Sequence, residues 1–117
     1  MRIPGIVLIA GLASATAQAA DPNGKFQIVG AGALACQKYL GATEQQRAYT
    51  ETWWAGYMTA MNRSTGDTHH LMGDVDPAEV NAMILRDCTA RPNESIGIVV
   101  RAVMEQLYPK RRRAAPK

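Results

Sequence analysis

An export signal followed by two widely separated cysteines restricts this chain more than any other feature. Residues 1–19 have the three parts of a secretory signal. Arg2 gives the positive start, Ile6 to Leu12 a short apolar stretch, and Ala17-Gln18-Ala19 a small-x-small cleavage site. The apolar stretch is far shorter than the roughly 20 residues that span a bilayer, and no later segment comes close. The expected product is a cleaved, exported chain beginning near Ala20. Export places it in an oxidising compartment, where Cys36 and Cys88 are expected to be bridged. Free-thiol chemistry is the alternative, but there is no Cys-x-x-Cys, and neither cysteine has a histidine nearby in sequence. A mature chain of this size is one small domain and marginally stable without help. Closing the Cys36–Cys88 loop contributes roughly 4 kcal/mol in the loop-entropy model, a large part of the typical total of about 5–15 kcal/mol.

Charge is divided unevenly. Of the 13 Lys and Arg residues only Arg2 lies in the signal, so 12 remain against 10 Asp and Glu. Five of them, Lys110, Arg111, Arg112, Arg113 and Lys117, fall in the last eight residues, which leaves the body with a net charge of −3. Pro109 and Pro116 bracket this end, which has almost no apolar content, so residues 110–117 are expected to be a disordered basic tail. Lys110, Arg111, Arg112 and Arg113 are candidates for contact with a polyanion or an anionic membrane surface. The plainer reading is a solvated, solubilising end.

Between a flexible segment at 20–29 and the tail, residues 30–109 read as a compact all-α domain of about four helices. Gly30 and Gly32 introduce a first helix around Ala33 to Leu40. Thr43 and Gln46 form a capping box for a second, over Glu44 to about Asn62. Tyr49, Trp53, Gly56, Tyr57 and Ala60 share one of its faces, and Gly56 suggests close approach of another helix. Asp76, Pro77 and Glu79 are three agreeing start signals for a third helix, with Val80, Met83, Ile84 and Cys88 as its buried stripe. Asn93 is the expected cap of a fourth, whose stripe is Ile96, Val99, Val100, Val103 and Leu107, ended by Pro109.

Candidates for chemistry are few. Gly30-Ala31-Gly32-Ala33-Leu34-Ala35 matches a dinucleotide-binding fingerprint, but no second strand or crossover follows, so a small-residue helix start accounts for it better. His69 and His70, with Asp67, Asp74 and Asp76 nearby, offer imidazoles and carboxylates to a divalent metal; a solvated polar loop is the preferred reading, and the histidines are the two side chains that could add a pH response. Ser64, Thr65 and Ser95 have no assignable base. The expectation is a protein with no enzymatic activity, no metal or other cofactor and no nucleic acid partner.

The order of features carries a resemblance. Gly30-x-Gly32-x-x-x-Cys36 leads into Gln37-Lys38-Tyr39-Leu40. The segment Trp53-Trp54-Ala55-Gly56-Tyr57-Met58-Thr59-Ala60-Met61-Asn62 follows, and then Cys88, a proline and a last amphipathic helix. Over roughly residues 30–108 the chain resembles the HdeA/HdeB-like group of small secreted bacterial proteins. The resemblance implies a helical protein stapled by one disulfide, a homodimer near neutral pH, a periplasmic location and an acid-stress chaperone that binds unfolded periplasmic proteins. Below about pH 3 the 12 Lys and Arg, two His and the new amino terminus leave the mature chain near +15. Such self-repulsion loosens a small domain and exposes apolar faces. Within this reading Trp53, Trp54, Tyr57 and Met58 are the candidate client contacts; the competing expectation keeps them in the core. Small disulfide-stapled immunity proteins look similar at this level, and imply one specific toxin or other partner instead.

Overall fold

Thr43 and Asp76 start the two longest helices from their side chains. The computed structural model describes residues 20–117, so the export signal read in residues 1–19 lies outside the described residues. Thr43 Oγ1 accepts from Gln46 N at 3.2 Å while Gln46 Oε1 accepts from Thr43 N at 2.9 Å, and Asp76 Oδ1 accepts from Glu79 N at 2.9 Å. Each such cap stabilises its helix by about 1 kcal/mol. The helices are α1 (Cys36–Leu40), α2 (Glu44–Ser64), α3 (Pro77–Ala90) and α4 (Ile96–Leu107), with 3-10 turns at Gly30–Ala33 and Tyr108–Lys110. Among the described residues there is no strand, and Cys36 is bonded to Cys88. The expected all-α fold with one disulfide is the fold observed.

Helices α1 and α4 begin by a different device. Cys36 N donates to the Glu94 carbonyl at 2.8 Å and Gln37 N to that of Pro92 at 2.9 Å, while Ile96 N donates to the Leu34 carbonyl at 2.9 Å. The residues before each helix thus satisfy first-turn N–H groups of the other, which would otherwise be orphaned. Asn93 is therefore not the cap of α4. The N-cap position is Ser95, whose side chain makes no capping bond, because a backbone carbonyl from far along the chain has taken that role.

The core gathers the stripes of α3 and α4 around the disulfide. Val80, Ile84, Cys88, Ile96, Val99, Val100, Val103 and Leu107 are buried as expected, together with Cys36 and Tyr39 of α1. Burying a Val, Leu or Ile side chain contributes about 1.5–3 kcal/mol, so this stripe supplies much of the driving force. On α2 the buried line is displaced by one position: Thr50, Trp54 and Met58 are buried, whereas Tyr49 is 66% exposed. Gly56 is exposed too, and a Cβ there would meet nothing within 4 Å. No helix approaches it, contrary to expectation. Two core residues come from the stretch read only as a polar loop. Leu71 and Met72 are buried, with Leu71 N donating to Asn62 Oδ1 at 2.7 Å.

Candidate functional site: the aromatic flank of α2 and the docked basic end

Trp53, Trp54, Tyr57 and Met58 are divided between two environments. Trp54 and Met58 belong to the core. The Trp54 Nε1 donates to Asn81 Oδ1 at 2.8 Å, and Asn81 Nδ2 donates onward to Glu51 Oε1 at 2.9 Å. This relay ties α2 to α3 and ends on an exposed carboxylate. Trp53 and Tyr57 stack on the neighbouring flank, ring centroids 5.6 Å apart. The segment before α1 lies over them. Trp53 Nε1 donates to the Val29 carbonyl at 2.7 Å, and the first 3-10 turn rests against the indole. Gly30-x-Gly32 thus follows from the bulk of Trp53.

This flank continues into a groove of about 270 Å³ lined by Tyr57, Met61, Leu71, Arg101, Met104 and Tyr108. Beside it, Phe26 and Val29 are 51% and 74% exposed. Burial pushes the Tyr57 hydroxyl above its usual value of 10.0, with Arg101 lowering it and Glu105 raising it. Burial likewise raises Tyr39, against the lowering effect of Arg47. The Arg47 guanidinium lies over the Tyr39 ring and donates to the Tyr39 and Leu40 carbonyls. It closes the C-terminal end of α1.

The basic end is not the free tail expected from composition. Arg112 exchanges backbone hydrogen bonds with His70, at 3.0 Å and 2.8 Å, and its carbonyl also accepts from His69 N at 2.9 Å. Gly73, at φ +59, has no room for a side chain: a Cβ would come within 2.2 Å of the Lys110 carbonyl oxygen. Arg112 pairs with Asp74, and Arg113 Nη1 with Asp67 Oδ2 at 3.0 Å. Arg111 lies inward, its side chain 6% exposed. It donates to the Asp67 and Tyr108 carbonyls at 3.2 and 3.0 Å and stacks 3.9 Å from the Tyr108 ring centroid. Docking occurs because the acidic loop residues and the arginines are complementary in charge and the loop glycine admits the backbone. From sequence the two halves of this contact read as unrelated features, the loop as a metal-site candidate and the arginines as a free tail. Among the described residues no three His, Cys, Asp or Glu side chains converge as a metal site would require. No helix among them is long and apolar enough to cross a membrane.

A model described as the HdeA/HdeB family matches residues 5–97, most of the chain. Neither a curated protein nor a solved structure matches it.

Proposed function

Because the chain belongs to the HdeA/HdeB family, a family of periplasmic acid-stress chaperones, we propose that it is a periplasmic, non-enzymatic holdase that loosens in acid and retains unfolded clients. The observation that carries this reading is the use made of its carboxylates. Eight of the ten, Asp21, Glu51, Asp67, Asp74, Asp76, Asp87, Glu94 and Glu105, accept a hydrogen bond or an ion pair. The other two, Glu44 and Glu79, stand in the first turns of α2 and α3, where the helix dipole favours negative charge.

Several of these contacts join separate elements. Glu51 completes the α2–α3 relay, Asp87 accepts from Gln106 of α4 at 3.0 Å, and Asp67 and Asp74 pair with the side chains of Arg113 and Arg112. Acid neutralises these acceptors and leaves the cations to repel one another. The first apolar surface to open is the Trp53–Tyr57 flank, over which the segment before α1 lies. Trp54 and Met58 follow when α2 leaves the core. The disulfide holds α1 to α3 throughout, so the loosened chain stays tethered around a sticky surface.

The test is light scattering of an aggregation-prone client with the oxidised protein at about pH 7 and about pH 2–3, beside near-ultraviolet circular dichroism of the protein alone. Suppression only in acid, together with loss of the tryptophan signal, supports the holdase. A tertiary signal that persists in acid without any suppression would sink it and leave a single specific partner as the reading to pursue.

A further inference from the structure

We propose that the docked C-terminal segment is an acid-unmasked site for phosphate groups, formed by Arg112 and Arg113 with Lys110, His69 and His70. The proposal goes beyond the holdase reading and stands on how each arginine is held. Arg111 is fixed mainly by groups that acid does not change, two backbone carbonyls and the face of Tyr108, with the Asp67 carboxylate farther off at 3.7 Å. The backbone pairing of Arg112 with His69 and His70, and the seat of Lys110 on Gly73, are equally indifferent to acid. Arg112 and Arg113 are held by carboxylates, Asp74 and Asp67. Protonating those two acids therefore frees two guanidinium groups while the backbone that presents them stays docked.

The other charged groups on the surrounding elements do not restore the mask. Asp76 is committed to the first turn of α3, and Glu105 of α4 pairs with Arg101. Arg63, at the end of α2, adds positive charge. The local set of Arg63, Lys110, Arg111, Arg112 and Arg113 passes from five cations facing two carboxylates to five cations facing none, with His69 and His70 beside them. Arg112 and Arg113 are 40% and 65% exposed, enough to meet a ligand.

The ligand class follows from the same titration. A carboxylate partner loses its charge in the acid that frees the arginines. Phosphate esters keep at least one negative charge, since only their second ionisation lies near 6, and guanidinium groups bind them through paired hydrogen bonds. Lipid headgroups and soluble polyphosphate both offer this chemistry.

The experiment measures binding of the oxidised protein to phosphatidylcholine vesicles with and without phosphatidylglycerol, and to soluble polyphosphate, at about pH 7 and about pH 3. Wild type should gain about tenfold or more in affinity for the phosphatidylglycerol vesicles on acidification, and added salt should reverse the gain. Asp67→Asn with Asp74→Asn should bind them at pH 7 as wild type does in acid; asparagine suits the positive φ of 54° at position 67. Arg112→Gln with Arg113→Gln should lose the gain at both pH values yet protect clients in acid as wild type does, which separates this site from the holdase. Binding to polyphosphate as well identifies a general phosphate site, and binding to vesicles alone a headgroup site. Equal capture by pure phosphatidylcholine, or an Asp67→Asn, Asp74→Asn protein that retains its near-ultraviolet signal and binds no better than wild type at pH 7, would overturn the proposal.

Discussion

At Gly32 an added Cβ would lie 2.1 Å from the Trp53 ring, a rigid neighbour with a hydrogen bond of its own to protect. Gly32→Ala must push the indole or the turn aside, and overpacking of this kind costs about 1–3 kcal/mol. Urea unfolding followed by tryptophan fluorescence should show that loss with a shifted native emission; an unchanged midpoint would mean the segment before α1 does not bear on Trp53 in solution. Asn81 is a second residue with a defined task. Asn81→Ala leaves the Trp54 Nε1 without its acceptor in a buried site, a cost of about 1–3 kcal/mol, measurable by the same titration. The two raised tyrosines act at the alkaline limit. Tyr39 and Tyr57 favour the neutral form in the folded state because burial penalises the phenolate. Their contribution is complete below the unfolded value near 10 and is lost as pH rises through the higher folded values. The denaturation midpoint should therefore fall between about pH 9 and about pH 11, with late-ionising tyrosines visible by ultraviolet difference absorbance. A flat midpoint over that range would contradict it.

Helix α2 separates what its sequence dictates from what its neighbours decide. Its start was legible because the capping box is a local exchange between Thr43 and Gln46, and the start of α3 was legible for the same reason. The stripe of α4 was legible because its apolar periodicity has no rival register. On α2 the adjacent pair Trp53-Trp54 fits either of two lines one position apart, and periodicity alone does not choose. The choice is made by Asn81, which accepts from Trp54, and by the turn at Gly30–Ala33, which covers Trp53. The cap of α4 and the docking of Arg111 to Arg113 were illegible for a related reason: each depends on partners more than thirty residues away. The candidate aromatic residues were identifiable by type, but their division into core and flank was not. Gly56 provides the test of this account. It is exposed and has open space around it, so Gly56→Ala gains helix propensity with nothing to clash against, and should raise stability by about 1 kcal/mol. A destabilised variant would mean that another surface does approach Gly56, as the sequence first suggested.

Across the whole molecule, the disulfide and the carboxylates divide the stability in a way that sets the acid response. α1 has five residues, too few to hold helical form alone, and is fastened to α3 by a covalent bond across 52 positions. At neutral pH that bond and the ionic contacts act together. In acid the ionic contacts fail and repulsion among the cations grows, leaving the bond and the apolar stripe of α3 and α4. Cys36→Ala with Cys88→Ala should lose about 4 kcal/mol at neutral pH by the loop-entropy argument, enough to bring a domain of this size near its unfolding midpoint. The informative comparison is in acid, by hydrodynamic radius at about pH 3. The oxidised protein should expand modestly, as a state with lost packing and retained helices does, whereas the cysteine-free protein should approach the size of an unfolded chain. Client protection should follow the same division, since a holdase needs its apolar faces gathered in one place. If both proteins expand equally and protect clients equally, the bond serves only the neutral fold, and the gathering of sticky faces in acid has to come from the α3–α4 stripe alone.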